Sequence, residues 1–321
     1  MKKNNNSNYS LCYWRGWGKK KYKKMNLKFT ALEIGSGDAF LLEDGDRKIL
    51  FDAGGSQDLI VRLLKKKKIK KIDLAICSHN DIDHANGFIG LLKTDIIIEE
   101  IWLPGLWADI LQFVIDNRNN SHTIWFELDE YLCNNEAKNY SPEKQRYIPD
   151  NLYKSESVSV ESFDDHLAII SELVDSGFLS FGEEVWDYLN HFARFYDYSC
   201  EFAINLKRIM KIAALAYGNG CKIRWFEPVD RCVVSPIDYS FVALNSKQVC
   251  KVKKLKNVAC FMYALTLTKE NQYSLVFEFF KNNAPVVRFS ADSDVEYQST
   301  SGRKTCKSTK NTKKEINDTA D

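Results

Sequence analysis

Histidine is scarce in this chain. There are five in 321 residues, and none follows His191. Nine cysteines form no C-x-x-C pair, and their number is odd, so no disulfide framework is indicated. No apolar run reaches the length of a membrane span. The opening "MKKNNNSNYSLCYWRGWGKKKYKK" is basic but lacks the apolar centre of a signal peptide. These absences predict a cytoplasmic protein with reduced thiols and no membrane partner. "GSGD" at Gly35–Asp38 is neither the G-x-S-x-G elbow of serine hydrolases nor long enough for a phosphate-binding P-loop.

What is present is ordinary in bulk and unusual in one place. Hydrophobic content of 45% suits a globular domain, and the net charge of +2 says little about partners. Lysines cluster at Lys19–Lys24, Lys65–Lys71 and Arg303–Lys314, as solvated faces or as surfaces that track phosphates. The unusual place is "CSHNDIDHANG", Cys77 to Gly87, where His79, Asp81, Asp83 and His84 fall within six residues. Imidazole and carboxylate are ligands suited to Zn²⁺, Mn²⁺ or Fe²⁺. On an extended segment His79, Asp81 and Asp83 point the same way, with His84 turning in from the side. The bland alternative is a polar loop in which Asp81 or Asp83 caps the following helix. It leaves both histidines unexplained.

The flanking pattern is α/β. "LKFTALEI", "AFLLED" and "RKILFDAGG" read as strands, the last two joined by a "DGDR" hairpin. Ser56 or Asp58 caps a helix whose apolar side carries Leu59, Ile60, Leu63 and Leu64. "KIDLAICSH" reads as one buried strand, "ANGFIGLLKT" as a helix start and "IIIEEIWLPG" as another strand. From about 109 to 220 the spacing becomes helical in "DDHLAIISELV", "EEVWDYLNHFARFY" and "EFAINLKRIMKIAALAYG". "KIRWFEP", "FMYALTLT", "YSLVFEFF" and "APVVRFSAD" then read as strands. Residues 1–24 read as a basic arm and 295–321 as a disordered tail.

"SHNDIDHANG" resembles the H-x-H-x-D-H signature of the metallo-β-lactamase superfamily. Asp81 replaces the second histidine, and this H-x-D-x-D-H form is similar to the hydrolase domain of ComEC-type competence proteins. "EIGSGDAFLLEDGDRKILFDAGG", "ENQYSLVFEFF" and "VVRFSAD" are similar to that subgroup in the same order. The resemblance covers Leu27 to about Gly105 and about Lys222 to Asp292. It implies an αββα sandwich over 25–294, with a helical insertion and an incomplete C-terminal edge. It also implies one or two metal ions, zinc or else manganese.

Carried over residue by residue, the resemblance gives His79 and Asp81 to a first metal and Asp83 and His84 to a second. Asp292 bridges the two, although Ala291 precedes it where the family has glycine. Asp83 becomes the proton acceptor in catalysis. Asp52 orients the loop by hydrogen bonds, Asp38 borders the site, and Asn271 or Ser274 stands behind it. The family's final histidine has no counterpart after Asp292, so the chain reads as a truncated or decayed member. His122, His166 and His191 lie in the insertion, the last two in packing or surface roles. The expected function is hydrolysis of a phosphodiester or nucleic acid. The alternatives are a lactone, thioester or cyclic-nucleotide hydrolase, or an inactive scaffold that binds a protein through its insertion.

Overall fold

The computed structural model describes residues 27–120, 148–175, 196–229, 235–236 and 240–293, with side chains in the long helix described from residue 204. The basic arm, the tail and the calls on His122 and His191 lie outside the described residues.

Among the described residues fifteen strands run in chain order. They are β1 (Leu27–Ala31), β2 (Phe40–Asp44), β3 (Arg47–Phe51), β4 (Lys71–Ile72), β5 (Leu74–Ile76), β6 (Ile97–Ile98), β7 (Glu100–Pro104) and β8 (Tyr153–Ser159). There follow β9 (Lys222–Pro228), β10 (Ser235–Pro236), β11 (Phe241–Ala243), β12 (Ser246–Gln248), β13 (Lys251–Leu255), β14 (Phe277–Lys281) and β15 (Ala284–Phe289). The described helices are α1 (Gln57–Lys66), α2 (Ile82–Leu92), α3 (Gly105–Asn117), α4 (Val160–Asp175), α5 (Tyr196–Gly218) and α6 (Val258–Leu267).

Period-2 alternation divides the core into two layers. Leu41, Leu50, Ala75, Ile101, Leu103 and Trp225 face the helices. Their chain neighbours Leu42, Ile49, Leu74, Ile76, Trp102 and Phe226 face a second sheet. The larger sheet has the order β1-β2-β3-β5-β7-β9-β12 and the smaller β10-β11-β14-β15. Between them the Trp102 ring packs on Phe226, Phe277 and Phe241, with centroids 5.0, 5.2 and 5.4 Å away. Such pairs add about 0.5–1.5 kcal/mol each beyond the area they bury.

The stretch expected to be a helical insertion runs between β7 and its parallel neighbour β9. It also holds a strand, β8, which pairs with β13. Asp109 on α3 fastens this corner: Oδ1 accepts from the Lys253 amide at 2.7 Å and Oδ2 from the Tyr153 hydroxyl at 3.0 Å.

Three local expectations change. "FMYALTLT" lies in a helix, α6, not a strand. Asn257 caps it by accepting from the Cys260 amide at 3.0 Å, and most of its residues are buried, so its apolar run has no period to betray it. "KIDLAICSH" breaks at Asp73, where β4 leaves to pair with β6 and β5 stays in the large sheet. The helix expected from Ala85 begins at Ile82, so Asp83 and His84 lie in its first turn and do not alternate on a strand.

Candidate metal centre

β3 and β5 are parallel neighbours, with Phe51 opposite Ile76. Their carboxyl ends therefore release Asp52 and the segment Cys77–Asp81 side by side, the usual place for a ligand site in such sheets. The Asp52 amide donates to the Ile76 carbonyl at 2.9 Å. β15 ends against the same edge, where the Phe289 ring stacks on Phe51 at 4.7 Å and the chain turns to bring in Asp292.

The α2 N-terminus is pressed onto this edge by backbone contacts. The Ala53 amide donates to the His84 carbonyl at 2.9 Å and the Gly87 amide to the Gly54 carbonyl at 2.8 Å. A β-carbon on Gly87 would sit 2.0 Å from the Ala53 carbonyl oxygen, so only glycine permits this approach. Gly37 plays the same part opposite Asp83, with a φ of +75° and 1.7 Å of room. Its neighbour Asp38 donates its amide to the Asp83 carbonyl at 3.3 Å. Burial raises the Asp38 carboxyl above its ordinary range; nearby His84 opposes this, while Asp52, Asp292 and Asp83 add to it.

Asp52 organises the site. It is fully buried and left-handed, with φ +54°, a conformation aspartate tolerates better than most residues. Its Oδ1 accepts from the Ser78 amide at 2.8 Å. Its Oδ2 accepts from the Ser78 hydroxyl at 2.7 Å and faces His84 Nδ1 at 2.9 Å. Ser78 has one hydroxyl proton, and it goes to Asp52. The 2.8 Å contact between Ser78 Oγ and His79 Nδ1 is then donated by His79. Asp52 can only accept, so His84 Nδ1 donates as well. Both imidazoles thus keep Nδ1 for Asp52, directly or through Ser78, and turn Nε2 toward carboxylates.

The acids lie close. His79 Nε2 is 3.5 Å from Asp81 Oδ2, and His84 Nε2 is 3.3 Å from Asp292 Oδ2 and 3.9 Å from Asp83 Oδ1. The two imidazole rings are 4.3 Å apart. His79, His84 and Asp292 each offer a ligand atom within 4.8 Å of the others; Asp81 and Asp83 flank that trio, each beside one histidine. His79 Nε2 is buried and makes no hydrogen bond. A buried ring nitrogen without a hydrogen-bond partner among carboxylates fits a cation.

Charge agrees. Burial works against ionised Asp81, but His79, Lys269 and His84 hold its carboxyl below the usual range. Burial also lowers the His84 pKa, yet Asp52, Asp292 and Asp83 outweigh it and raise the imidazolium to about 9.

Residues 32–100, from the turn after β1 to the first residue of β7, match the family model of the metallo-beta-lactamase superfamily. No curated protein matches the chain. The two-sheet architecture is an α/β fold of the metallo-β-lactamase type. That superfamily usually binds divalent metal ions, and the match supports a metal-dependent hydrolase. No described helix is long and apolar enough to cross a membrane.

Asn271 lies in a short 3₁₀ turn (Asn271–Tyr273), and Ser274 is buried with its hydroxyl unpartnered. Sequence reasoning missed Ser78, which relays Asp52 to His79, and the buried polar residues behind Asn80. A signal for the latter existed. Asn205, Arg208, Ile209, Ile212, Ala213 and Ala216 recur at helical spacing and are all buried, so two polar residues sit on the inward stripe of α5.

Proposed function

We propose that the chain is a metal-dependent hydrolase of phosphodiesters, nucleic acid among them, whose ligands are His79, Asp81, Asp83, His84 and Asp292. The observation that carries the reading is the pair of histidines whose Nδ1 atoms are committed to Asp52 and Ser78, which leaves both Nε2 atoms facing carboxylates. His79 and Asp81 belong to one ion and Asp83 and His84 to the other, with Asp292 shared. Zinc suits the mixed imidazole–carboxylate set, and manganese is the alternative.

Divalent ions held there would acidify water and polarise the phosphoryl group. Asp83 has 36% of its side chain exposed, so it reaches solvent while lying beside His84. It takes the proton of the attacking water. Lys269, close enough to act on Asp81, supplies positive charge for an anionic substrate. The H-x-D-x-D-H spacing, like that of ComEC-type hydrolases, supports the phosphodiester class.

A second reading has its own observation. Among the described residues the second ion has one imidazole, His84, beside the carboxylates of Asp83 and Asp292. That ion is then the weaker one, and a scaffold without activity is the limiting case. The test is an assay of zinc- and manganese-loaded protein on bis(p-nitrophenyl) phosphate, single-stranded DNA, a lactone and a thioester. Metal-dependent cleavage of the first two, lost in Asp83→Asn, supports the proposal. Cleavage of the lactone or thioester alone moves it to the small-molecule class. Metal uptake with no cleavage of any substrate supports the scaffold.

A further inference from the structure

The segment carrying His79 and Asp81 is gripped from behind. Asn80, between them, is fully buried and faces away from the acids, into α5 and the end of α6. Its amide donates to the Thr268 carbonyl at 2.9 Å. Its side-chain Nδ2 donates to Thr268 Oγ1 at 3.2 Å and to the Asn205 carbonyl at 3.3 Å. The Arg208 guanidinium, 5% exposed, completes the grip. Its Nη1 donates to the Asn80 carbonyl, to Asn80 Oδ1 at 3.2 Å and to Asn205 Oδ1 at 3.3 Å.

Burying a guanidinium is costly, and arginine is seldom fully buried without partners that repay the loss of water. Nη1 reaches three neutral oxygens, and two of the three belong to the single residue that separates His79 from Asp81. Hydrogen bonds from a charged donor are stronger than neutral ones, so the carbonyl of Asn80 is held firmly. A segment pinned at one residue has the backbone positions of its two neighbours constrained with it. Asp52 and Ser78 aim the His79 ring; nothing in that set fixes the backbone between His79 and Asp81.

We infer that Arg208 is a positioning residue for the metal centre: through Asn80 it sets the spacing of His79 and Asp81, so that α5, from the stretch between β7 and β9, is part of the site's construction. The inference rests on the proposed ligand set. It predicts an effect on metal affinity in protein that is otherwise folded.

The experiment titrates zinc into chelator-stripped full-length protein against a chromophoric competitor, with folding checked by near-ultraviolet circular dichroism. Loss of an outer partner of a metal ligand typically weakens binding about 10–100-fold. Arg208→Met is expected in that range. Arg208→Lys is expected to lose less than Arg208→Met, because an ammonium keeps three donors for the three oxygens that Nη1 reaches. Met210→Ala, on the same helix and buried without a polar contact to the segment, should lower the melting temperature and leave affinity unchanged. Should Arg208→Met not fold, Asn80→Ala decides, with an expected loss of at least about fivefold, below the range for Arg208 because the backbone carbonyl remains. Wild-type affinity in Arg208→Met, or in Asn80→Ala if that variant must decide, overturns the inference while the hydrolase reading stands. Equal weakening by Met210→Ala also overturns it, since the effect would then be general destabilisation. A wild-type chain that takes up no zinc sinks the hydrolase reading, and this inference with it.

Discussion

Oδ2 of Asp52 lies 2.9 Å from Nδ1 of His84, and both side chains are buried. The same oxygen accepts from Ser78, whose hydroxyl in turn faces His79. One carboxylate therefore sets the direction of two imidazoles. In Asp52→Asn an amide nitrogen competes for the place of the acceptor, and the two rings lose their fixed tautomers. Zinc affinity should fall about 10–100-fold while secondary structure persists. Competition titration checks it; an unchanged dissociation constant would show that Asp52 serves folding only.

The second prediction concerns pH. In metal-free protein the His84 imidazolium, with a pKa near 9 against an ordinary 6.5, is favoured by the fold. Its stabilisation is complete below about 6.5 and is lost as pH rises through about 9. Metal uptake runs the other way, because it must displace the Nε2 proton. Affinity should climb from pH 6 to 9, and uptake at pH 7 should release a proton from His84. Calorimetric titration in two buffers of different ionisation enthalpy measures the release. Uptake at pH 7 without it contradicts the assignment of His84.

Ala291 has a φ of +44° in the turn closed by the Ser293 amide on the Ser290 carbonyl at 3.0 Å. A left-handed alanine costs about 1–2 kcal/mol, against which glycine loses some entropy on folding. Ala291→Gly should stabilise metal-free protein by about 0.5–1 kcal/mol in urea unfolding. A loss of stability would mean that the turn tolerates its β-carbon.

Asp109 is buried, and burial lifts its pKa to about 7 despite the Lys253 amide and the Tyr153 hydroxyl. The folded state thus prefers the protonated acid, and stability is lost as pH rises from about 4 toward 7. Asp109→Asn keeps an acceptor for Lys253 and should flatten that slope. Chemical denaturation at pH 5 and pH 8 measures it, and an unchanged slope would remove Asp109 as its source.

Much of the site was legible because its residues are close in sequence. His79 to His84 announce themselves by composition, and Asp52 by the "FDAGG" end of a strand. Asp292 needed the resemblance, since 208 positions separate it from His84 (292 minus 84). Ser78 was in plain view, but its part depends on proton counting that only geometry permits. Arg208 was overlooked because a lone arginine in a helix reads as solvated, although it shares the helical spacing of Ile209, Ile212, Ala213 and Ala216. α6 was misread because "FMYALTLT" is apolar on all sides, and a buried helix and a buried strand then look alike. β2 and β3 were legible as strands from the "DGDR" hairpin between them, whereas the division of the core into two layers shows only once the sheets are known.

The most direct test of the account is zinc titration of chelator-stripped wild-type protein beside His79→Ala and His166→Ala. His166 lies on α4, outside the segments that carry the proposed ligands. The account predicts at least one ion bound at micromolar zinc by wild type and by His166→Ala, and binding at least about tenfold weaker in His79→Ala. His79→Ala binding zinc as tightly as wild type would contradict it.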